Sequence, residues 1–205
     1  MEILTDLVVI DDIVPKDYQN WIEQIVINQQ TPWYYTANCF HPNLKKDPRN
    51  VSGLFHYLYS QDTKQSPLFD ALYPIVLSIG DRVKWNRMDK MDIDLFPKQK
   101  SSIYHLPHVS NFYRTGWTAI YYINSVLAPD DGDTFVFEQK LEQFTVDESE
   151  KILKDNYFEI RNKVNPKKGR LIAFPSNYFH ASSYASSTDR YTVTINLVNE
   201  DLNNE

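Results

Sequence analysis

Three residues in the second half of the chain have types and spacing that could do chemistry together: His108, His180 and Arg190. His108 stands just before one β-prone apolar stretch, His180 just after another, and Arg190 follows ten residues beyond His180. A neutral imidazole is a good ligand for Fe, Zn, Cu or Ni, so two of them carried by separate strands can meet at one end of a sandwich and hold a metal. The pair does not specify a site by itself. The chain has five histidines, and the ordinary place of any one is the surface or the edge of a core, which is the expectation for His41, His56 and His105.

The elements that must position these residues are strands. From residue 82 onward the sequence alternates with period two, as in Met91, Ile93 and Leu95 against Asp92, Asp94 and Phe96, which predicts half-buried strands. Further strands are expected over 118–123, 134–137, 170–174 and 191–198, with turns at Asp130-Asp131-Gly132 and Pro166-Lys167-Lys168-Gly169. The first third reads as strand, helix, loop, helix. A short apolar run covers 7–10, and Pro15 then opens a helix in which Tyr18, Trp21, Ile22, Ile25 and Val26 recur at helical spacing. Thr31-Pro32 should end that segment. A second helix starts near Ser66-Pro67, carries Leu68, Leu72, Ile75, Val76 and Ile79 on one face, and stops at Gly80. Short strands after a helical layer predict a mainly β fold with flanking helices, a β-sandwich or jelly roll. The charged stretch 141–156 should be a helical insertion on the rim, where lids and partner surfaces often lie.

Composition narrows the class. At 205 residues the chain can bury one core but hardly two, so a single domain over 1–205 is expected, with 1–81 as the helical layer and 82–200 as the β region interrupted at about 138–160. With 42% hydrophobic and 23% charged residues it is of ordinary globular type. A net charge of −6 without any Lys/Arg-rich face argues against nucleic acid and for a small-molecule or peptidyl substrate. Cys39 is the single cysteine, which rules out an internal disulfide and a Cys-rich zinc site. Neither a signal peptide nor a transmembrane stretch is visible, so a cytoplasmic protein is expected.

The words around the two histidines add a resemblance. His105-Leu106-Pro107-His108-Val109-Ser110 is followed by Thr118-Ala119-Ile120-Tyr121-Tyr122-Ile123-Asn124 and by Gly132-Asp133-Thr134-Phe135. Then come Gly169-Arg170-Leu171-Ile172-Ala173-Phe174, His180 and Arg190. Over roughly residues 85 to 198 this order resembles the 2-oxoglutarate/Fe(II) oxygenase superfamily, and most of all its prolyl-4-hydroxylase-like branch, small microbial and phage members included. The resemblance implies a double-stranded β-helix with an N-terminal helical layer, and Fe(II) held in a triad of two histidines and a carboxylate. His108 matches the first histidine and His180 the distal one. Arg190 matches the residue that pairs with the far carboxylate of the cosubstrate 2-oxoglutarate, and Tyr122 a tyrosine that helps to hold it. Thr118, on the same strand face as Tyr122, is a further candidate for the cosubstrate pocket.

Ser110 departs from the pattern. The family places Asp or Glu two residues after the first histidine, where strand geometry turns both side chains to one metal. A hydroxyl supplies no negative charge there. Three explanations are open: a carboxylate from elsewhere, such as Asp92, Asp94 or Asp133; a chloride ion beside a small residue, as in the related halogenases; or a degenerate relative that binds without turnover. Plain oxygenase chemistry on an amino-acid or peptidyl substrate ranks first, halogenation second and a binding relative third. The aromatics Trp33, Tyr34, Tyr35, Phe55, Tyr57 and Tyr59 are expected in a helix–sheet core in preference to a substrate cleft.

Overall fold

The apolar spacing read from the sequence produces the two N-terminal helices almost where expected. In the computed structural model, which describes residues 4–28, 30–41, 43–100, 104–110, 116–127, 131–141, 146–154 and 157–199, β1 (Val8–Ile10) is followed by α1 (Lys16–Val26). Pro15 precedes the first turn of α1, where its missing N–H costs nothing. Ile22 and Val26 are fully buried, whereas Trp21 is 43% exposed, because its place one residue before Ile22 turns it about 100° away from the buried stripe. The Thr31 hydroxyl donates to the carbonyl of Val26 at 3.1 Å, which satisfies part of the helix end. Helix α2 (Leu68–Gly80) buries Leu72, Ile75, Val76 and Ile79. Gly80 belongs to the last turn and is not a left-handed cap. Its lack of a side chain admits the Trp85 indole, whose Nε1 donates to the Gly80 carbonyl at 3.0 Å, and an added Cβ would lie 3.1 Å from that nitrogen.

Strands β2 (Tyr34–Thr36), β3 (Gly53–Ser60) and β4 (Thr63–Lys64) lie within the stretch expected to form only the helical layer. They are followed by β5 (Arg87–Phe96), β6 (Gly116–Tyr122), β7 (Thr134–Lys140), α3 (Val146–Lys154), β8 (Ile160–Val164), β9 (Leu171–Pro175), β10 (Tyr178–Ser182) and β11 (Arg190–Val198). The major sheet runs β1-β9-β6-β11-β5-β3-β2, with β4 beside β3, and the minor sheet runs β10-β7-β8. Every pairing is antiparallel.

Period two then decides which side chains meet. One face of the major sheet packs Leu58, Met91, Ile93, Ala119, Tyr121, Ala173, Val193, Ile195 and Leu197 against α1 and α2. The opposite face looks toward the minor sheet, where Ile120, Tyr122, Val136, Ile172 and Phe174 form an apolar floor. Asp92 and Asp94, which alternation alone would send to solvent, instead lie inside, on the face between the sheets. The rim insertion holds α3, and Leu153 packs with Phe137, Leu141, Phe158 and Phe179 on the outer side of the minor sheet. No helix among the described residues is long and apolar enough to cross a membrane.

Candidate metal and cosubstrate site

His180 lies on β10, and His108 pairs with it from a short extended segment: His108 N–H donates to the His180 carbonyl at 3.0 Å and the reverse bond is 2.9 Å. Directly opposed residues of an antiparallel pair project to the same side, which brings the two imidazole centroids to 4.4 Å. In each ring Nδ1 faces the carbonyl two residues earlier, His108 that of Leu106 at 3.2 Å and His180 that of Tyr178 at 3.3 Å. A carbonyl can only accept, so Nδ1 carries the proton in both rings and Nε2 keeps its lone pair. Burial holds both rings neutral. It pushes His180 down to about 4 and His108 well below its ordinary value, with His180 as a second cause for His108. Phe40 stacks on His108 at 4.5 Å between centroids and fixes the ring plane. Ser110 is in the same group: its Oγ lies 2.9 Å from His180 Nε2, so the hydroxyl donates to that lone pair.

The two histidines and Ser110 line a cavity of about 210 Å³ between the sheets. Arg190, at the start of β11, reaches it too and is only 3% exposed. Its Nε donates to the carbonyl of Gly132 at 3.0 Å and its Nη2 to Thr134 Oγ1 at 2.9 Å. Gly132 presents that carbonyl from the expected turn, in a left-handed conformation (φ +68°) that suits glycine. The Tyr122 hydroxyl donates to the same Thr134 oxygen at 2.7 Å, and the guanidinium lies over the Tyr122 ring, 5.6 Å from its centroid. Tyr122 therefore sits behind Arg190 and steadies it, with Thr134 as the link that the sequence reading missed.

Thr118 needs a correction. It is fully buried on β6 opposite Asn196, its hydroxyl is 3.5 Å from Asn196 Oδ1, and it is not part of the cavity wall. Asn196, its cross-strand neighbour, does line the cavity. The aromatics divide. Phe55 lines the cavity, Tyr59 and Trp33 pack on the helix–sheet core as expected, and Tyr34 and Tyr35 are exposed. His41, His56 and His105 are structural: His56 bridges the Pro32 carbonyl and Ser66 at 2.8 and 2.7 Å, and His105, pushed down to about 3 by burial and by Arg190, is packed against Phe96 and Tyr184.

The remaining wall comes from β5 and β11 and includes two of the three alternative carboxylates, Asp92 and Asp94. Lys90, Asp92 and Asp94 of β5 face the cavity beside Thr192, Thr194 and Asn196 of β11. Lys90 pairs with Asp92, and Asp94 Oδ2 accepts from Thr194 at 2.5 Å and from Thr192 at 3.4 Å. Burial raises both acids, Asp92 to about 7. Asp133, the third alternative carboxylate, pairs with Lys163 at 3.2 Å and is absent from the cavity wall. Among the described residues no three His, Cys, Asp or Glu side chains converge as a metal group. Two neutral imidazoles with fixed tautomers and unprotonated Nε2 atoms, that of His180 accepting from Ser110, nonetheless fit a divalent iron, since ligating histidines ordinarily donate their other N–H to a carbonyl in this way. The remaining positions on such an ion would be filled by small ligands, Ser110 or a chelating cosubstrate among them.

No protein-family model matches the sequence, and no curated protein matches it either. Solved structures do match. A prolyl-4-hydroxylase of Pseudomonas putida is 14% identical, with 95% of this chain and 93% of that one covered and a TM-score of 0.58. HygX of Streptomyces hygroscopicus, solved with nickel and 2-oxoglutarate bound, is 14% identical over 96% of this chain and 84% of its own, with a TM-score of 0.62. A prolyl hydroxylase of Trichoplax adhaerens, in complex with a peptide fragment of the hypoxia inducible factor oxygen degradation domain, is 14% identical over 95% and 84%, with a TM-score of 0.56. At such identities the likeness speaks for the fold, and the chain is accordingly a double-stranded β-helix of the kind found in 2-oxoglutarate/Fe(II) oxygenases, prolyl hydroxylases among them.

Proposed function

We propose that this chain is a 2-oxoglutarate and Fe(II) dependent oxygenase that hydroxylates an amino-acid or peptidyl group. The observation that carries the reading is the pair of buried, neutral imidazoles with fixed tautomers, which shares one cavity with a buried arginine. His108 and His180 hold the iron through Nε2. Arg190 binds the far carboxylate of 2-oxoglutarate, a task suited to a planar, multiply donating cation, while Thr134, Gly132 and Tyr122 keep the guanidinium in place. Bound together, iron and 2-oxoglutarate supply the oxidation of a C–H bond by O2, with release of CO2 and succinate. The chain's own part is to orient these groups and to exclude water from the apolar floor. Residues 1–205 act as a single domain, because the helical layer and the sheet share one core. The Trichoplax neighbour was solved with a peptide, which supports a peptidyl substrate as one form.

A second reading is favoured by one observation: Ser110 stands at His180 where the family pattern has a carboxylate. On that reading the cavity binds its ligand without turnover, or chloride restores the missing charge as in the halogenases. Anaerobic titration with Fe(II) and 2-oxoglutarate tests the oxygenase reading. A weak visible charge-transfer band, followed by succinate formation on admitting O2, is the expected result, and a protein that binds neither defeats it.

A further inference from the structure

On β5 the wall of the cavity carries two carboxylates, Asp92 and Asp94, and one cation, Lys90. Four charged side chains line the cavity, Lys90, Asp92, Asp94 and Arg190. Lys90 is occupied by Asp92 Oδ2 and lies over the Tyr57 ring, 5.5 Å from its centroid. Arg190 is tied to Gly132 and Thr134 and acts on Asp94 only through space. Asp94 is left with two threonine hydroxyls, Thr194 and Thr192, on the same oxygen. Asp92, 2% exposed, keeps its Oδ1 buried without any hydrogen-bond partner. A buried carboxylate oxygen with no donor is costly, and an acid pair of this kind persists where a ligand supplies what the protein does not.

We infer that the group recognised here is a protonated amine, held by Asp94, with the buried Asp92 behind it, beside the two histidines. Strand register makes the site rigid: Asp92 is paired with Thr194, and Asp94 with Thr192, in the β5–β11 ladder. An ammonium donates up to three hydrogen bonds from one atom, which matches two carboxylates on alternate residues of one strand better than a flat amide does. The raised acids agree with this, since a cation brought beside them offsets the burial that now disfavours their charged forms. An uncharged peptidyl proline would bring no cation to Asp94, so the preferred substrate differs from that of a prolyl hydroxylase. As an assignment of substrate class this rests on the oxygenase reading, but the site can be tested without iron or cosubstrate.

The test is ligand-observed NMR on the full chain with no added metal, using 1-aminopentane and 1-pentanol as probes of equal shape. The amine is expected to bind about tenfold or more tightly than the alcohol, as charge-assisted hydrogen bonds to a buried acid require. Asp94→Asn should abolish that preference, and Thr194→Val, which removes the hydroxyl bonded to Asp94, should weaken it. Arg190→Met should leave the preference intact while impairing 2-oxoglutarate binding, so failure of the amine site and failure of the oxygenase reading give different results. Equal binding of amine and alcohol, no binding of either, or an undiminished preference in a folded Asp94→Asn protein overturns the inference.

Discussion

On the face of β5 and β11 that meets α1 and α2, Met91, Ile93, Val193, Ile195 and Leu197 are fully buried. On the other face of the same two strands, Lys90, Asp92, Asp94, Arg190, Thr192, Thr194 and Asn196 line the cavity. The backbone ladder is common to both, so the contrast isolates side-chain chemistry. Burial of the apolar face stabilises the fold at roughly 25 cal/mol per Å². The polar face is costly to bury and is retained through cross-strand hydrogen bonds and ion pairs. Stability and binding should therefore separate by face.

The largest effect is expected at the histidine end. His180→Ala or His108→Ala should abolish metal binding while circular dichroism shows the fold unchanged, because both rings face the cavity. Metal stoichiometry equal to that of the parent protein in either variant would falsify the assignment. The apolar face should give the opposite outcome. Ile195→Ala should lower the unfolding free energy by about 2–5 kcal/mol, read from denaturant titration, with 2-oxoglutarate affinity of the folded protein unchanged. A loss of affinity matching the loss of stability would erase the distinction between the faces.

Arg190→Met should weaken 2-oxoglutarate binding by about 1.5–3 kcal/mol, measured by calorimetry, which is the worth of a charge-assisted pair. Ser110→Asp is a smaller and more discriminating change. Adding an anionic oxygen near His180 Nε2 should tighten Fe(II) binding by about tenfold and raise succinate formation. Loss of a chloride dependence in the same variant would instead favour the halogenase alternative, and identical behaviour of the two proteins would remove Ser110 from the metal.

The last effect concerns pH. Asp92 has its folded value raised to about 7 from an ordinary 3.8. Its contribution to stability is thus fully present below the ordinary value and is lost as pH rises toward 7. The thermal midpoint of Asp92→Asn should gain on that of the parent protein between about pH 4 and about pH 7. The buried histidines have the opposite sign, losing stability as pH falls, but they are common to both proteins and cancel in the difference. A gap between the two midpoints that stays constant with pH would show that Asp92 does not titrate in this window.

Much of this was legible in the sequence for physical reasons. Helical spacing marked α1 and α2, and alternation marked β5, β6 and β11, because burial on one side imposes those periods. The order of His108, His180 and Arg190 pointed to one cavity, and the structure brings all three to it. Strand β3 was missed because its aromatics serve both faces, Phe55 toward the cavity and Tyr59 toward the helices across a register shift, so a run of aromatic residues hid the period. Thr118 was misjudged for a related reason. Strand parity places it on the same face as Tyr122, but only the β6–β11 register sets it beside Asn196, which lines the cavity where Thr118 does not.

By itself the sequence determined the periodic elements, the histidines' place in the strand-rich half and the lack of a carboxylate at Ser110, all of which depend on residue type and local spacing. Only the tertiary structure decided the rest. It turned the Nδ1 atoms of His108 and His180 onto carbonyls, set Thr134 between Arg190 and Tyr122, and made the alternating acids of β5 an interior wall. The reason is that period two tells which residues share a face, whereas what covers that face depends on the second sheet, brought there by chain segments far away in sequence.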